Sequence, residues 1–367
     1  MRAPADPPRI LIAASGTGGH LFPALFIAKK IRALSPTAEV AFVGSGRPLE
    51  IEILGKSGFP LHRIRAVGVK RLGLRGFVDF MLKLPLTLLD VWKLLGAFSP
   101  DAVIGVGGYV SVFPVLLGRL RKIPSWIHEA EINPGLANRV LSLFASRVSV
   151  SFADAKIGCK TKMVFTGQPV RDELLSLAAQ PKNNPPRNIL VMGGSQGAQA
   201  LDLAVRELAP LLRDRNLALW HQCRPENEAP LTAHYRNTGI EARVTKFIEN
   251  SAEAFAWSDL IISRAGAGAV SELSVINIPC ILVPYPFAQG NHQKHNADTL
   301  AAPGKALIVE EGNEFVARLR GALLELLEPG AWQKMRAAPG VSRPADAAKA
   351  IAAGALELID GPRLGNC

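Results

Sequence analysis

Arg9-Ile-Leu-Ile-Ala-Ala-Ser-Gly-Thr-Gly-Gly-His20 opens the chain with a buried-strand pattern, a glycine turn and the start of a helical pattern. The plan returns at Asn188-Ile-Leu-Val-Met-Gly-Gly-Ser-Gln-Gly197. Later in each half, Ser99-Pro-Asp-Ala-Val-Ile-Gly-Val-Gly-Gly108 is echoed by Trp257-Ser-Asp-Leu-Ile-Ile-Ser-Arg-Ala-Gly266. Strands written as continuous apolar runs suit a parallel sheet covered by helices on both faces. Two doubly wound α/β domains are therefore expected, joined near the Pro/Asn-rich stretch 180–187. Ligands of such sheets lie beyond the carboxyl ends of the strands, where these glycine turns fall.

Outward from these turns, further strands are expected at Val40–Val43, Ala102–Gly105, Ser125–His128 and Arg147–Ser151 in the first half. The second half adds Leu217–Gln222, Arg243–Phe247, Leu260–Ser263 and Cys280–Val283. Helical patterns occupy Leu21–Leu34, Val110–Leu120, Gln196–Leu212 and Gln293–Leu300.

The 367 residues are 48% hydrophobic and 20% charged, a globular composition with length for two domains. Lys and Arg number 42 against 31 acids, a net charge of +11 that favours an anionic partner. Cys159, Cys223, Cys280 and Cys367 are too scattered for a zinc ribbon or a disulfide framework. The amino-terminal apolar run is five residues long, and no stretch reaches the ~18 a membrane helix needs. A cytoplasmic chain is expected.

Between Pro60 and Ser125, ten Lys/Arg face three acids, amid Leu72, Leu74, Phe77, Phe80, Met81, Leu82, Leu84 and Leu86. A helix or loop of this kind suits anionic lipid headgroups, although a core-facing helix with a basic rim is the plainer alternative. No RNP, helix-turn-helix or finger signature supports a nucleic-acid partner.

Four strand-end glycine turns, at Gly16–Gly19, Gly105–Gly108, Gly193–Gly197 and Gly266–Gly268, suit a phosphate-bearing ligand held by backbone N–H groups. None spells the dinucleotide fingerprint, no Walker sequence is present, and no D-x-D offers a metal-held diphosphate. Arg171 and Arg264 are candidate charge partners, or surface salt bridges. His20 sits where a helix start favours the neutral imidazole, a possible proton acceptor. Glu272 follows the fourth turn, placed for ribose hydroxyls or simply for the helix dipole. His292 and His295 lack a third metal ligand, and no metal or cofactor is expected. One rival comes from another reaction class. Gly193-Gly-Ser-Gln-Gly197 also reads as a hydrolase nucleophile elbow, with Ser195, Asp259 and His292 in triad order.

Taken in order, the motifs resemble the MurG family of glycosyltransferases, from about Arg9 to the carboxyl-terminal region. The residues that carry the resemblance are Gly16-Thr-Gly-Gly-His-Leu-Phe-Pro23, Gly105-Val-Gly-Gly-Tyr-Val-Ser111, His128-Glu129 with Pro134–Arg139, and Gly167-Gln-Pro-Val-Arg171. Gly193–Ala198, Arg264–Ala267 with Ser271-Glu272, and Pro284-Tyr-Pro286 with His292-Gln293 and Asn296-Ala297 complete them.

The resemblance implies a GT-B fold: two Rossmann-like doubly wound parallel-sheet domains facing an interdomain cleft, residues 1–180 for acceptor and membrane and 181–344 for donor. A helix at about 345–360 could return to the first domain. It implies inverting, metal-independent transfer of N-acetylglucosamine from UDP-GlcNAc to lipid I, making lipid II, by a peripheral protein of the inner membrane's cytoplasmic face. A lipid-A-disaccharide synthase or 2-epimerase type of activity is the nearest alternative, and a non-catalytic nucleotide-sugar sensor a more distant one.

By the same resemblance, Ser195 faces the diphosphate and Ile248 the uracil. Ala267, Gly268, Ala269, Val270, Ser271 and Glu272 line the nucleotide. Gln293, Thr17, Gly18 and Gly19 reach the donor sugar, with Arg171 approaching from the junction. His20 is the expected base and Glu129 the alternative. Glu131 stands where relatives often carry Asn near that sugar, Asn291 replaces a frequent Asp, and Ser15 a frequent Gly.

Overall fold

The computed structural model describes residues 6–14, 18–65, 74–158, 162–177, 186–194, 196–276, 278–328, 330–338 and 346–360, without the side chains of 18, 74–80 and 289. Ser15, Gly16, Thr17 and Ser195 therefore lie outside the described residues, as do Lys70, Arg71, Leu72, Cys159, Cys367 and most of the expected 180–187 junction. The chain forms two compact units, Met1–Val170 with Arg343–Cys367, and Arg171–Ser342.

In the first unit, the described strands are β1 (Arg9–Ala13), β2 (Glu39–Gly44), β3 (Leu61–Arg63), β4 (Ala102–Gly105), β5 (Ser125–Glu129), β6 (Arg147–Val150) and β7 (Met163–Phe165). They run parallel in the order β3-β2-β1-β4-β5-β6-β7. The order reverses direction between β1 and β4, and Ala13 pairs with Gly105, so the two strand ends are level. That switch point is where a ligand crevice forms.

β1 shows why its apolar run is unbroken. Ile10 and Ile12 pack on one face with Ile27 and Ile31, and with Ile351, Ala352 and Ala355 of helix Ala347–Asp360. Leu11 and Ala13 pack on the other with Val91, Leu95, Val115 and Leu141. Each fully buried Leu or Ile side chain contributes about 1.5–3 kcal/mol over exposure.

The second unit repeats the plan with β8 (Asn188–Met192), β9 (Ala218–Gln222), β10 (Ala242–Thr245), β11 (Leu260–Arg264), β12 (Cys280–Val283) and β13 (Ala306–Ile308), in the parallel order β10-β9-β8-β11-β12-β13. Met192 pairs with Ser263, which levels the ends of β8 and β11. Cys223 and Cys280 are free thiols in its interior, each pushed up to about 12 by burial.

Differences from the sequence reading have physical causes. The expected helix 196–212 is two, Gln199–Glu207 and Ala209–Asp214. Pro210 lacks an N–H, so it restarts a helix more readily than it continues one. The strand expected at Arg243–Phe247 ends at Thr245, and the helix expected from Val110 begins at Val112 after a 3-10 turn at Tyr109–Ser111. The basic, apolar segment contains a 25-residue helix, Leu74–Phe98, with Pro85 inside it. Among the described residues, no helix is long and apolar enough to cross a membrane.

Candidate active site

In the first unit, helix Gly18–Leu34 starts beyond the end of β1, with Gly18 and Gly19 at its head and His20 on its first turn, half-buried. The turn after β4 makes room for that imidazole. Gly107 has φ +95°, and a Cβ there would stand 2.8 Å from both Nδ1 and Cε1 of His20. Only glycine allows this approach.

His128, second from the end of β5, is buried among partners from the next strands. Its Nε2 lies 2.6 Å from Gln168 Oε1, and its Nδ1 lies 2.9 Å from Ser149 Oγ. Ser151 Oγ donates to the same Gln168 oxygen at 2.6 Å. An amide oxygen only accepts, so Nε2 carries the proton and Nδ1 receives one from Ser149. Burial lowers His128 to about 4, against a smaller lift from Gln168, and the charge of His20 lowers it further. His128 is a neutral structural imidazole at physiological pH.

Glu129 is also buried, and its oxygens accept from Glu131 N (2.8 Å), Asn138 Nδ2 (3.0 Å) and Gly135 N (3.3 Å). Burial pushes its carboxyl up to about 7 despite these donors. Three bonds into residues 131–138 give Glu129 the task of shaping that loop, which weighs against it as the alternative base. Glu131, half-buried, gives its N–H to this network, and its like charge opposes ionisation of Glu129.

In the second unit, the turn after β8 is braced from below. Gly193 N donates to Gln222 Oε1 at 2.9 Å, and Gly197 N closes back on Gly194 O at 2.9 Å. Helix Ala267–Val275 starts beyond β11, capped by the extended Gly266. Ala267, Val270 and Ser271 point into the interior, so among the residues expected to line a nucleotide, Gly268, Ala269 and Glu272 keep accessible surface.

Glu272 Oε1 lies 3.9 Å from Arg171 Nε, each side chain about one-fifth exposed. Burial pushes the Glu272 carboxyl up to about 7, and the Arg171 charge pulls the other way. Gln293 turns its Oε1 to the N–H of Tyr285 at 2.9 Å, which leaves its amide N–H groups for another acceptor. Ile248, half-buried, lies just past β10.

Two candidate roles are corrected. Arg264 spends its guanidinium on Val283 O at 3.2 Å, Pro284 O at 3.5 Å and a close ion pair with Glu311, so it ties loops together rather than waiting for an anion. Asp259 Oδ2 accepts from Arg187 N (3.1 Å) and Asn188 N (2.9 Å), at the start of β8. Ser195 follows the far end of that strand, so Asp259 cannot serve a Ser195 triad, and the hydrolase reading fails. Among the described residues, no group of three or more His, Cys, Asp or Glu is placed to hold a metal ion.

Sequence reasoning missed Ser149, inside β6, Ser151, just past it, and Gln222, the last residue of β9; their one signal is a polar side chain in or beside a mainly apolar strand. Gln168 lay inside a quoted motif without a role.

Comparisons with known proteins follow the same two-part layout. Residues 10–150 match the glycosyltransferase family 28 N-terminal domain, and residues 188–351 match the family 28 C-terminal domain. A relative from Nitratidesulfovibrio vulgaris (strain Hildenborough) is 37% identical over 359 residues, 96% of this chain and 98% of that one. Another from Desulfotalea psychrophila is 38% identical over 323 residues, 87% and 88% of the two chains. Both are UDP-N-acetylglucosamine–N-acetylmuramyl-(pentapeptide) pyrophosphoryl-undecaprenol N-acetylglucosamine transferases. Among solved structures, MurG of Acinetobacter baumannii superposes with a TM-score of 0.77 at 28% identity, covering 96% of this chain and 100% of that one.

Proposed function

The chain belongs to glycosyltransferase family 28, and we propose that it transfers N-acetylglucosamine from UDP-N-acetylglucosamine to the C4 hydroxyl of MurNAc in undecaprenyl-pyrophosphoryl-MurNAc-pentapeptide. The observation that carries this reading is the relatedness of nearly the whole chain to transferases of that activity, with both sheets ending in glycine turns. The second unit holds the donor. Those N–H groups of the turn after β8 that are not spent on Gln222 and Gly194 face the diphosphate, with Ile248 on the uracil, Glu272 on the ribose and Gln293 on the sugar. Arg171, held beside Glu272, supplies positive charge to the leaving group.

The reaction is one displacement. The C4 oxygen bonds to the anomeric carbon while the bond from that carbon to the β-phosphate oxygen breaks, and its electrons leave with UDP. His20 takes the hydroxyl proton. Fixed N–H dipoles and Arg171 stabilise the charge that develops on the diphosphate.

The protein works from the anionic face of a membrane. Helix Leu136–Phe144 supports this: it buries Asn138, Leu141 and Ser142 and exposes Leu136 (78%), Val140, Leu143 (62%) and Phe144. Helices Leu74–Phe98, Val112–Leu120 and Leu136–Phe144 pack in succession, and the first two add exposed Leu82, Trp92 and Leu120. Lys83, Lys93, Arg119, Arg121 and Lys122 belong to the same segment, and Arg121 stacks 4.0 Å over the Trp92 ring. Apolar side chains beside cations suit an anionic lipid surface.

A transfer assay with labelled UDP-GlcNAc and a lipid I analogue, run with and without EDTA, tests the reading. Label should enter the lipid product in both arms. Epimerised or hydrolysed sugar without acceptor, and no lipid product, would reject it.

A further inference from the structure

Gln222 ends β9, the strand that lies between β8 and β10, and is only 5% exposed. Its side-chain amide makes three hydrogen bonds to the backbone of two different turns. Oε1 accepts from Gly193 N at 2.9 Å; Nε2 donates to Gly194 O at 3.0 Å and to Lys246 O at 3.2 Å. Gly193 and Gly194 open the turn after β8, and Lys246 lies two residues before Ile248 in the turn after β10. The far side of the first turn is braced from the same strand end. A Cβ on Gly197 would stand 2.7 Å from Arg224 N, whose N–H is held by Asp202 Oδ2 at 3.1 Å.

On the reading that this unit binds UDP-N-acetylglucosamine, we propose that Gln222 is a positioning residue that locks the diphosphate-facing turn to the nucleobase-facing turn. The two ends of the donor then meet one prearranged surface rather than two loops that must be ordered separately. An amide is required, because the position needs one acceptor and two donors on a single planar group. A carboxylate offers acceptors only and would set negative charge against two carbonyls. A thioether of similar length offers neither. Ordering loops on binding costs affinity, so losing the lock weakens every ligand that uses either turn.

The test measures UDP and uridine binding calorimetrically on the full chain, unmodified and as Gln222→Met and Gln222→Glu, with thermal melting as the check on folding. We expect Kd for UDP to rise about tenfold or more in both variants, and Kd for uridine to rise at least threefold. KM for the lipid acceptor should stay within twofold. The ratio of Gln222→Glu to unmodified Kd should shrink between pH 8 and pH 6, because protonation of the buried carboxyl restores one donor. A variant that keeps UDP affinity within twofold overturns the proposal, as does a loss confined to UDP with uridine unaffected. If Gln222→Met does not fold, Gln222→Glu and its pH series decide. Failure of the unmodified protein to bind UDP would instead reject the functional reading on which this one rests.

Discussion

The imidazole of His20 rests against the bare backbone of Gly107, at a point where a Cβ would come within 2.8 Å of two ring atoms. The turn after β4 thus sets where the proposed base stands at the head of its helix. Gly107→Ala should displace the ring and strain a backbone held at φ +95°. We expect a stability loss of about 1–3 kcal/mol, and kcat at least tenfold lower with KM for UDP-GlcNAc within twofold. His20→Ala should lower kcat by about 10²–10⁴. Steady-state kinetics with both substrates varied checks both; near-native kcat in His20→Ala would remove His20 from the chemistry.

Glu272 predicts a pH dependence of donor binding. Its carboxyl ionises at about 7 in the folded protein instead of near 4.5. A carboxylate accepts from two ribose hydroxyls better than the neutral acid, so uridine should bind more tightly as pH rises from 6 to 8. Glu272→Gln should bind weakly and lack that slope. Between pH 4.5 and 7 the folded state holds a proton that the unfolded chain releases. The stability tied to the neutral carboxyl is therefore complete below 4.5 and lost as pH rises through 7. Urea midpoints of the two proteins across pH 4.5–8 should converge at the acid end.

Asp259 is a structural residue on this geometry. Removing its carboxylate with Asp259→Ala leaves two backbone N–H groups of Arg187 and Asn188 without their acceptor, at a cost of about 1.5–3 kcal/mol. We expect a lower melting temperature with kcat unchanged once the protein is folded. A fluorophosphonate probe should not label Ser195 in either form, as mass spectrometry of the treated protein would reveal.

Helix Leu136–Phe144 offers a test of membrane attachment that spares the core. Leu143→Asp with Phe144→Asp removes two exposed apolar side chains and adds charge. Partition onto vesicles containing an anionic phospholipid should drop at least tenfold, since each buried side chain of this size is worth about 1.5–3 kcal/mol. Turnover of a water-soluble, short-chain acceptor should persist. Unaltered sedimentation with vesicles would place the contact elsewhere.

The central strands were readable because both of their faces are covered. Ala102–Gly105 and Cys280–Val283 have the same limits in sequence and structure. β3, β7 and β13 escaped because they are three-residue strands, each at a sheet edge: β3 and β7 at the two ends of the first sheet, β13 at one end of the second. An edge needs few apolar residues, and Leu61-His-Arg63 carries almost no pattern. At the site, glycine turns announced the backbone that faces a ligand, but not which side chains stand behind it. Glu129 and Arg264 sit in quoted motifs and look like ligand contacts, yet their partners come from residues up to 47 positions away. Only folding brings Glu311 to Arg264, or Gln222 to Gly193.

The first unit is finished by the last helix. Ile351, Ala352 and Ala355 fill the face of the sheet that also holds Ile10 and Ile12, and Gly354 lets the Trp126 ring approach so closely that a Cβ would meet it at 2.4 Å. As the ribosome extends the chain, residues 171–342 emerge while that greasy groove still stands open. The half translated first is thus the half sealed last. A nascent chain must keep an unsatisfied surface shielded for most of its synthesis, and a premature stop before residue 347 would strand it as bait for chaperones and proteases.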